Sequence, residues 1–281
     1  MKLNDILLPS ISSILDYEKR PRNPLWKQRQ SCNSDFCRAV VANGYMTEEQ
    51  MQQAARRYRL GCSRNGGVIF WQIDMLEQTY DGKIMYYRSD CHRDHKRHPQ
   101  WVSNLLKRQF LQRFPDMEKW MPASHHCLFG THLLETTDYT DFCFSDNELK
   151  SEKSKEINVT QRAGAAKKSV KSVQSVVERP IAVVEAEKTA VILSAHYPQF
   201  LWLAAGGLTE LTPQKLFPLR HHRIVLFPDT DPDQTAYNRW YAVAQDAHRQ
   251  YGLDITVSSL LERRATKEQK QRKIDLVDFI F

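Results

Sequence analysis

Residues 181–197, IAVVEAEKTAVILSAHY, and residues 223–240, RIVLFPDTDPDQTAYNRW, decide the fold. Each carries four consecutive apolar residues, a composition suited to a short strand buried on both faces. Each then passes through acidic residues into a helix-like stretch. Between them, FLWLAA (200–205) reads as another strand closing at Gly206-Gly207, and Thr212-Pro213 opens a helix with an N-cap followed by proline. Beyond them, Thr235 to Tyr251 is amphipathic and stops at Gly252. LDITV (253–257) is a last strand, followed by a charged stretch and a short terminal helix in KIDLVDFIF (273–281). Strands alternating with helices predict right-handed crossovers and a parallel sheet. The expectation for residues 179–281 is a small doubly wound α/β domain with helices on both faces.

In open sheets of this kind, function collects at the carboxyl ends of the strands. The first strand ends at Glu185, with Glu187 and Lys188 behind it. The third ends at Asp229, with Asp231 and Asp233 behind it. If these strands are neighbours, Glu185, Asp229 and Asp231 meet. Clustered carboxylates repel one another, and relief comes from a cation or a raised pKa. Oxygen-only donors suit Mg²⁺ (or Mn²⁺), which keeps several waters and binds one or two carboxylates plus phosphate. The plainer role of acids after strands is to serve helix N-termini, and Glu187 and Asp233 read that way. A calcium loop is excluded, because Gln234 and Trp240 stand where it needs Gly and a bidentate Glu. A phosphatase of the haloacid-dehalogenase type shares the strand and DxD, but Asp233 occupies its Thr/Val position.

The order VVEAEKTA, strand, Gly-Gly and VLFPDTDPDQTAYNRW resembles the Toprim domain of primases, topoisomerases and related nucleases. By motif position, the resemblance implies Glu185 as the catalytic glutamate of general acid/base work, and Asp229 and Asp231 as the Mg²⁺-binding pair. Two departures stand out: Ala186 replaces a frequent glycine, and no glycine follows the DxD. Upstream, YRLGCSRNGGVIFWQIDMLEQTYDGKIMYYRSD resembles the region that precedes Toprim in bacterial primases, and CLFGTHLL resembles the segment leading into it. The whole is similar to a primase-like, Toprim-containing family of bacterial mobile elements. That resemblance implies a DNA-associated role in replication or mobilisation. The implied partners are DNA or RNA, chiefly single-stranded, and a helicase or other replication or mobilisation proteins.

The expected architecture has three parts. Residues 1–145 form an α+β primase-like module, 146–178 a flexible linker, and 179–281 the Toprim-like domain. The linker reading follows from a stretch rich in Lys, Ser and Glu without an aromatic residue. In the first module, EKRPRNPLWKQRQ (18–30) should be extended, and Thr47 with Gln50 forms a capping box for a helix reaching Arg59. Gly67–Ile73 and Lys83–Tyr87 read as strands with Asp81-Gly82 as the turn, and Trp101–Phe114 as a helix.

From Asp81 to Arg113 there are eight Lys or Arg against three Asp, with Tyr86, Tyr87 and Trp101 interleaved. Cations neutralise phosphates and aromatics stack unpaired bases, so Arg88, Arg93, Lys96 and Arg97 are the candidate phosphate contacts. Equally, the aromatics could be core and the charges a solvated face. Six cysteines read as thiols or metal ligands. Cys32/Cys37 has the spacing of a structural zinc site on one side only, and within Cys91/His92/His95/His98 the pair His92/His98 is a strained second half, so zinc is not expected.

The chain has 281 residues, 41% hydrophobic and 26% charged, with a formal charge of +7. That length buries a core without staples, and the excess of cations permits a polyanionic partner. The longest apolar run, Phe200–Leu208, is under half the ~20 residues of a membrane span, and the interrupted N-terminal stretch does not read as a signal peptide. A cytoplasmic protein with no membrane partner is expected. Two other functions compete with the primase-like reading: a non-catalytic nucleic-acid or nucleotide-binding module, and a phosphatase.

Overall fold

A computed structural model describes residues 33–105, 108, 126–134 and 179–281. The four C-terminal apolar runs form β5 (Ile181–Val184), β6 (Leu201–Ala204), β7 (Ile224–Phe227) and β8 (Ile255–Val257), all parallel in the order β6-β5-β7-β8. Their connections carry α3 (Glu187–His196), α4 (Pro213–Leu216) and α5 (Thr235–Tyr251). Successive strand residues point to opposite faces. Ala182, Val184, Trp202 and Ala204 join one apolar cluster with Ala190 to Leu193 of α3. Ile181, Val183, Leu201, Leu203, Ile224 and Leu226 join another with Trp240, Ala244 and Ala247 of α5. Both faces are therefore covered, which is why these strands are continuous apolar runs rather than alternating ones. Each fully buried Leu, Ile or Val contributes about 1.5–3 kcal/mol of transfer energy.

Helix α5 ends at Gly252, in the left-handed region at φ 67°, whose N–H donates to the His248 carbonyl. The charged C-terminal stretch contains more helix than the sequence suggested. It forms α6 (Leu260–Arg264), α7 (Lys267–Gln271) and α8 (Leu276–Ile280), with a Thr266/Gln269 capping box starting α7.

The N-terminal part begins with α1 (Asp35–Ala42), capped by Ser34, and α2 (Glu48–Arg57), which carries the expected Thr47/Gln50 capping box. An antiparallel sheet follows in the order β1-β2-β3-β4: β1 (Gly61–Cys62), β2 (Val68–Ile73), β3 (Thr79–Met85) and β4 (Gln100–Trp101). The hairpin turn is not at Asp81-Gly82 but at Asp74–Gln78. There the Asp74 carboxylate accepts from the Leu76 and Gln78 N–H groups, and Glu77 adopts φ 65°. Gly82 instead lies inside β3 opposite Trp71, whose ring occupies the space a side chain would need; a Cβ there would lie 2.6 Å from it. Asp81 is wholly buried and accepts from the Gly82 N–H, from the Ser103 N–H and hydroxyl, and from His126, which stacks on Trp101. These bonds outweigh the burial that opposes its charge and hold its pKa below the usual carboxylate value. Trp101 is in β4, and helix follows over 102–105. Arg108 is again helical, and the other expected helix residues up to Phe114, the extended 18–30 segment and the 146–178 linker lie outside the described residues.

The two sheets share one core. Phe36, Tyr58, Phe70 and Phe129 pack in the same cluster as Ala182 and Trp202. Phe129 exchanges both backbone hydrogen bonds with Ala204 at the edge of the parallel sheet, and the Tyr58 hydroxyl donates to the Trp202 carbonyl at 2.9 Å. Cys62, Cys91 and Cys127 are free thiols, but Cys37 is disulfide-bonded, against the expectation of thiols or metal ligands throughout. Among the described residues, no helix is long and apolar enough to cross a membrane.

Candidate functional site

Parallel pairing sets Val184 beside Phe227. Glu185 follows β5 by one residue and Asp229 follows β7 by two, so both emerge at the same carboxyl edge. The Asp229 N–H donates to Glu185 Oε1 at 3.3 Å. They line a cavity of about 260 Å³ whose other walls come from Asp275 before α8, Gly206-Gly207 after β6, and the antiparallel part. That part contributes Lys83, Tyr87, His92 and Arg93.

Most charges at this cavity are matched. Lys83 reaches across the sheets to Glu187 at 3.1 Å, with side chains 12% and 3% exposed, and donates to the Gly206 carbonyl at 2.6 Å. Gly206 adopts φ 92°, in the left-handed region where glycine is at ease, and a Cβ there would press on Glu187 Oε1 at 3.3 Å. Lys188 lies 3.4 Å from Asp275 and 3.6 Å from Asp278. Burial opposes its charge, but the two aspartates outweigh it and raise its pKa above the usual lysine range. Asp275 also accepts from the Thr189 hydroxyl and caps α8 through the Asp278 N–H.

Glu185 and Asp229 are the exceptions, since neither has an ion-pair partner among the described residues. Burial, with lesser repulsion from Asp231 and Asp275, pushes the Glu185 carboxyl up to about 7. Burial and then the neighbouring Glu185 push Asp229 well above the usual carboxylate value. A carboxyl that titrates near neutrality can give or take a proton at working pH.

Asp231 is turned elsewhere. Its Oδ1 accepts from the Asp233 and Thr235 N–H groups and its Oδ2 from the Ala236 N–H, so it caps α5. These bonds outweigh burial and lower its pKa. It is absent from the cavity lining. Among the described residues, no group of three or more His, Cys, Asp or Glu side chains is gathered as a metal site. The donors that face the cavity without a cation are two carboxylates, a set that fits Mg²⁺ when phosphate and water complete the shell.

The four basic candidates part ways. Arg88 is paired with Asp90, and the Arg97 guanidinium lies 3.4 Å over the Tyr86 ring and donates to the Asn65 carbonyl. Lys96 is exposed beside Asp94, whose carboxylate accepts from its backbone N–H. Only Arg93 lines the cavity with Glu185 and Asp229. The neighbouring Cys91 is buried, which raises its thiol to about 11, and His92 Nδ1 contacts the Asp90 carbonyl. Sequence reasoning missed Lys83 and Lys188 as site residues. Asp275 has two roles, lining the cavity and capping α8.

No curated protein matches the chain. A family model matches residues 34–152 and 170–230, more than half of the sequence and spanning both Glu185 and Asp229. The chain therefore belongs to the family described as Domain of unknown function (DUF6371).

Proposed function

We propose that the chain is a primase-like, DNA-associated protein acting on nucleic-acid phosphates at a Toprim-type site built from Glu185 and Asp229, in replication or mobilisation of a mobile element. One observation carries this reading: two carboxyls without a cation converge at the ends of adjacent parallel strands, in a cavity whose far wall is basic. Glu185 and Asp229 would hold Mg²⁺ or Mn²⁺, which when bound neutralises phosphate charge. The raised pKa of Glu185 suits it to accept or return a proton there. Lys83, anchored on Glu187 and Gly206, fixes the antiparallel part against the strand ends. Arg93 supplies the cationic rim.

A second reading, a binding module without turnover, is favoured by Asp231, because the second acid of the DxD is spent on the α5 terminus. Calorimetric titration with Mg²⁺ and Mn²⁺, paired with a metal-dependent synthesis or cleavage assay on a single strand, separates the two. Binding that is lost in Glu185→Gln and Asp229→Asn, with turnover, is the expected result. Equal, negligible metal binding in all three proteins overturns the metal site. Binding without turnover leaves the module.

A further inference from the structure

The cavity's charges leave a specific remainder. Lys83 is matched by Glu187, and Lys188 by Asp275 and Asp278. What stays unmatched among the described residues is the Arg93 guanidinium, exposed and without hydrogen-bond or ion-pair partners, and the carboxyls of Glu185 and Asp229. A lone cation would satisfy only the carboxyls, and a lone anion only the arginine. A phosphate carried with a divalent cation satisfies both, and guanidinium matches phosphate oxygens in a two-pronged geometry.

Size narrows the guest further. At about 260 Å³ the cavity is smaller than the roughly 300–1,000 Å³ of pockets that enclose whole small ligands. It has room for one phosphate and what is directly attached to it. The loop bearing Arg93 is held in place from both sides: the Arg88 N–H donates to the His92 carbonyl, the Asp94 N–H to the Tyr86 carbonyl, and Cys91 is buried beneath. Arg93 is thus presented on a fixed loop, and little backbone order is lost when it engages an anion.

We propose that Arg93 is the anion-recognising residue of this site and that the guest is the terminal phosphomonoester of a single nucleic-acid strand. This rests on the reading of Glu185 and Asp229 as a phosphate site.

The test is fluorescence anisotropy of the full chain with one oligothymidylate in three forms, 5′-phosphorylated, 3′-phosphorylated and hydroxyl-ended, in Mg²⁺. Wild type should bind one phosphorylated form roughly tenfold tighter than the hydroxyl form, the scale of one charge-assisted contact. The two phosphorylated arms identify the end. Arg93→Gln should abolish the preference, whereas Arg249→Gln, an exposed helix arginine paired with Asp246, should keep it. Equal binding of all three forms by wild type, or a preference that survives in Arg93→Gln, overturns the proposal. Mg²⁺ titration without nucleic acid scores the other reading separately. Metal bound with no end preference overturns this inference alone. An end preference that persists in EDTA, with no metal bound, overturns the metal site alone.

Discussion

Replacing Glu185 by Gln should stabilise the protein at alkaline pH and do little at acid pH. The Glu185 carboxyl sits at about 7 in the folded chain against an ordinary 4.5, chiefly because burial opposes its charge. Between those values the folded protein holds a proton that the unfolded chain has released, so raising the pH through this window costs stability. At about 1.4 kcal/mol per pH unit the full cost is on the order of 3 kcal/mol, of which roughly 2–3 kcal/mol develops between pH 5 and pH 8. Glutamine keeps an oxygen to accept from the Asp229 N–H and carries no charge. In metal-free buffer the melting temperature of Glu185→Gln should therefore exceed that of wild type by about 4–12 °C more at pH 8 than at pH 5. Saturating Mg²⁺ should narrow the gap, because it stabilises only the protein that can bind it. Thermal melts at half-unit pH intervals read this directly. A gap independent of pH, or wild type gaining stability from pH 5 to pH 8 relative to the variant, would refute a carboxyl destabilised by its surroundings.

Two other substitutions follow from the hydrogen-bond geometry. Asp231→Ala should cost about 1–2 kcal/mol by uncapping α5 while leaving Mg²⁺ affinity within about twofold, and a tenfold fall in affinity by calorimetry would return Asp231 to the ligand set. Asp81→Asn should cost about 2 kcal/mol or more and flatten the acid limb of the stability profile. Because the Asp81 pKa is lowered in the fold, its contribution is complete above the ordinary 3.8 and is lost as the pH falls through the folded value, so an unchanged acid limb in urea melts would rule this out.

The parallel sheet was legible because strands buried on both faces must be apolar throughout, and IAVV, LWLA and IVLF carry that requirement in consecutive residues. The β5–β7 adjacency was a topological expectation, and the order β6-β5-β7-β8 bears it out. Asp81-Gly82 misled because the same dipeptide serves a tight turn or a strand position where an aromatic ring needs room, and only the partner strand, with Trp71, distinguishes them. Helix α1 was not anticipated, since eight residues give little periodicity. Asp231 was placed by motif in the ligand set, yet motif position cannot say whether a carboxylate faces outward or folds back onto the following helix. Lys83 was invisible for another reason: its partner Glu187 is 104 positions away.

The Phe129–Ala204 pairing closes what would otherwise be a bare margin of the parallel sheet, with Tyr58 bonded to the carbonyl of Trp202 behind it. Cutting the chain to keep only residues 179–281 would strip that cover. It would leave hydrogen-bonding groups of β6 and the flank of Trp202 facing water, a template for any extended segment nearby. Such a fragment should self-associate, so biochemical dissection of this protein is better done with point substitutions than with truncation.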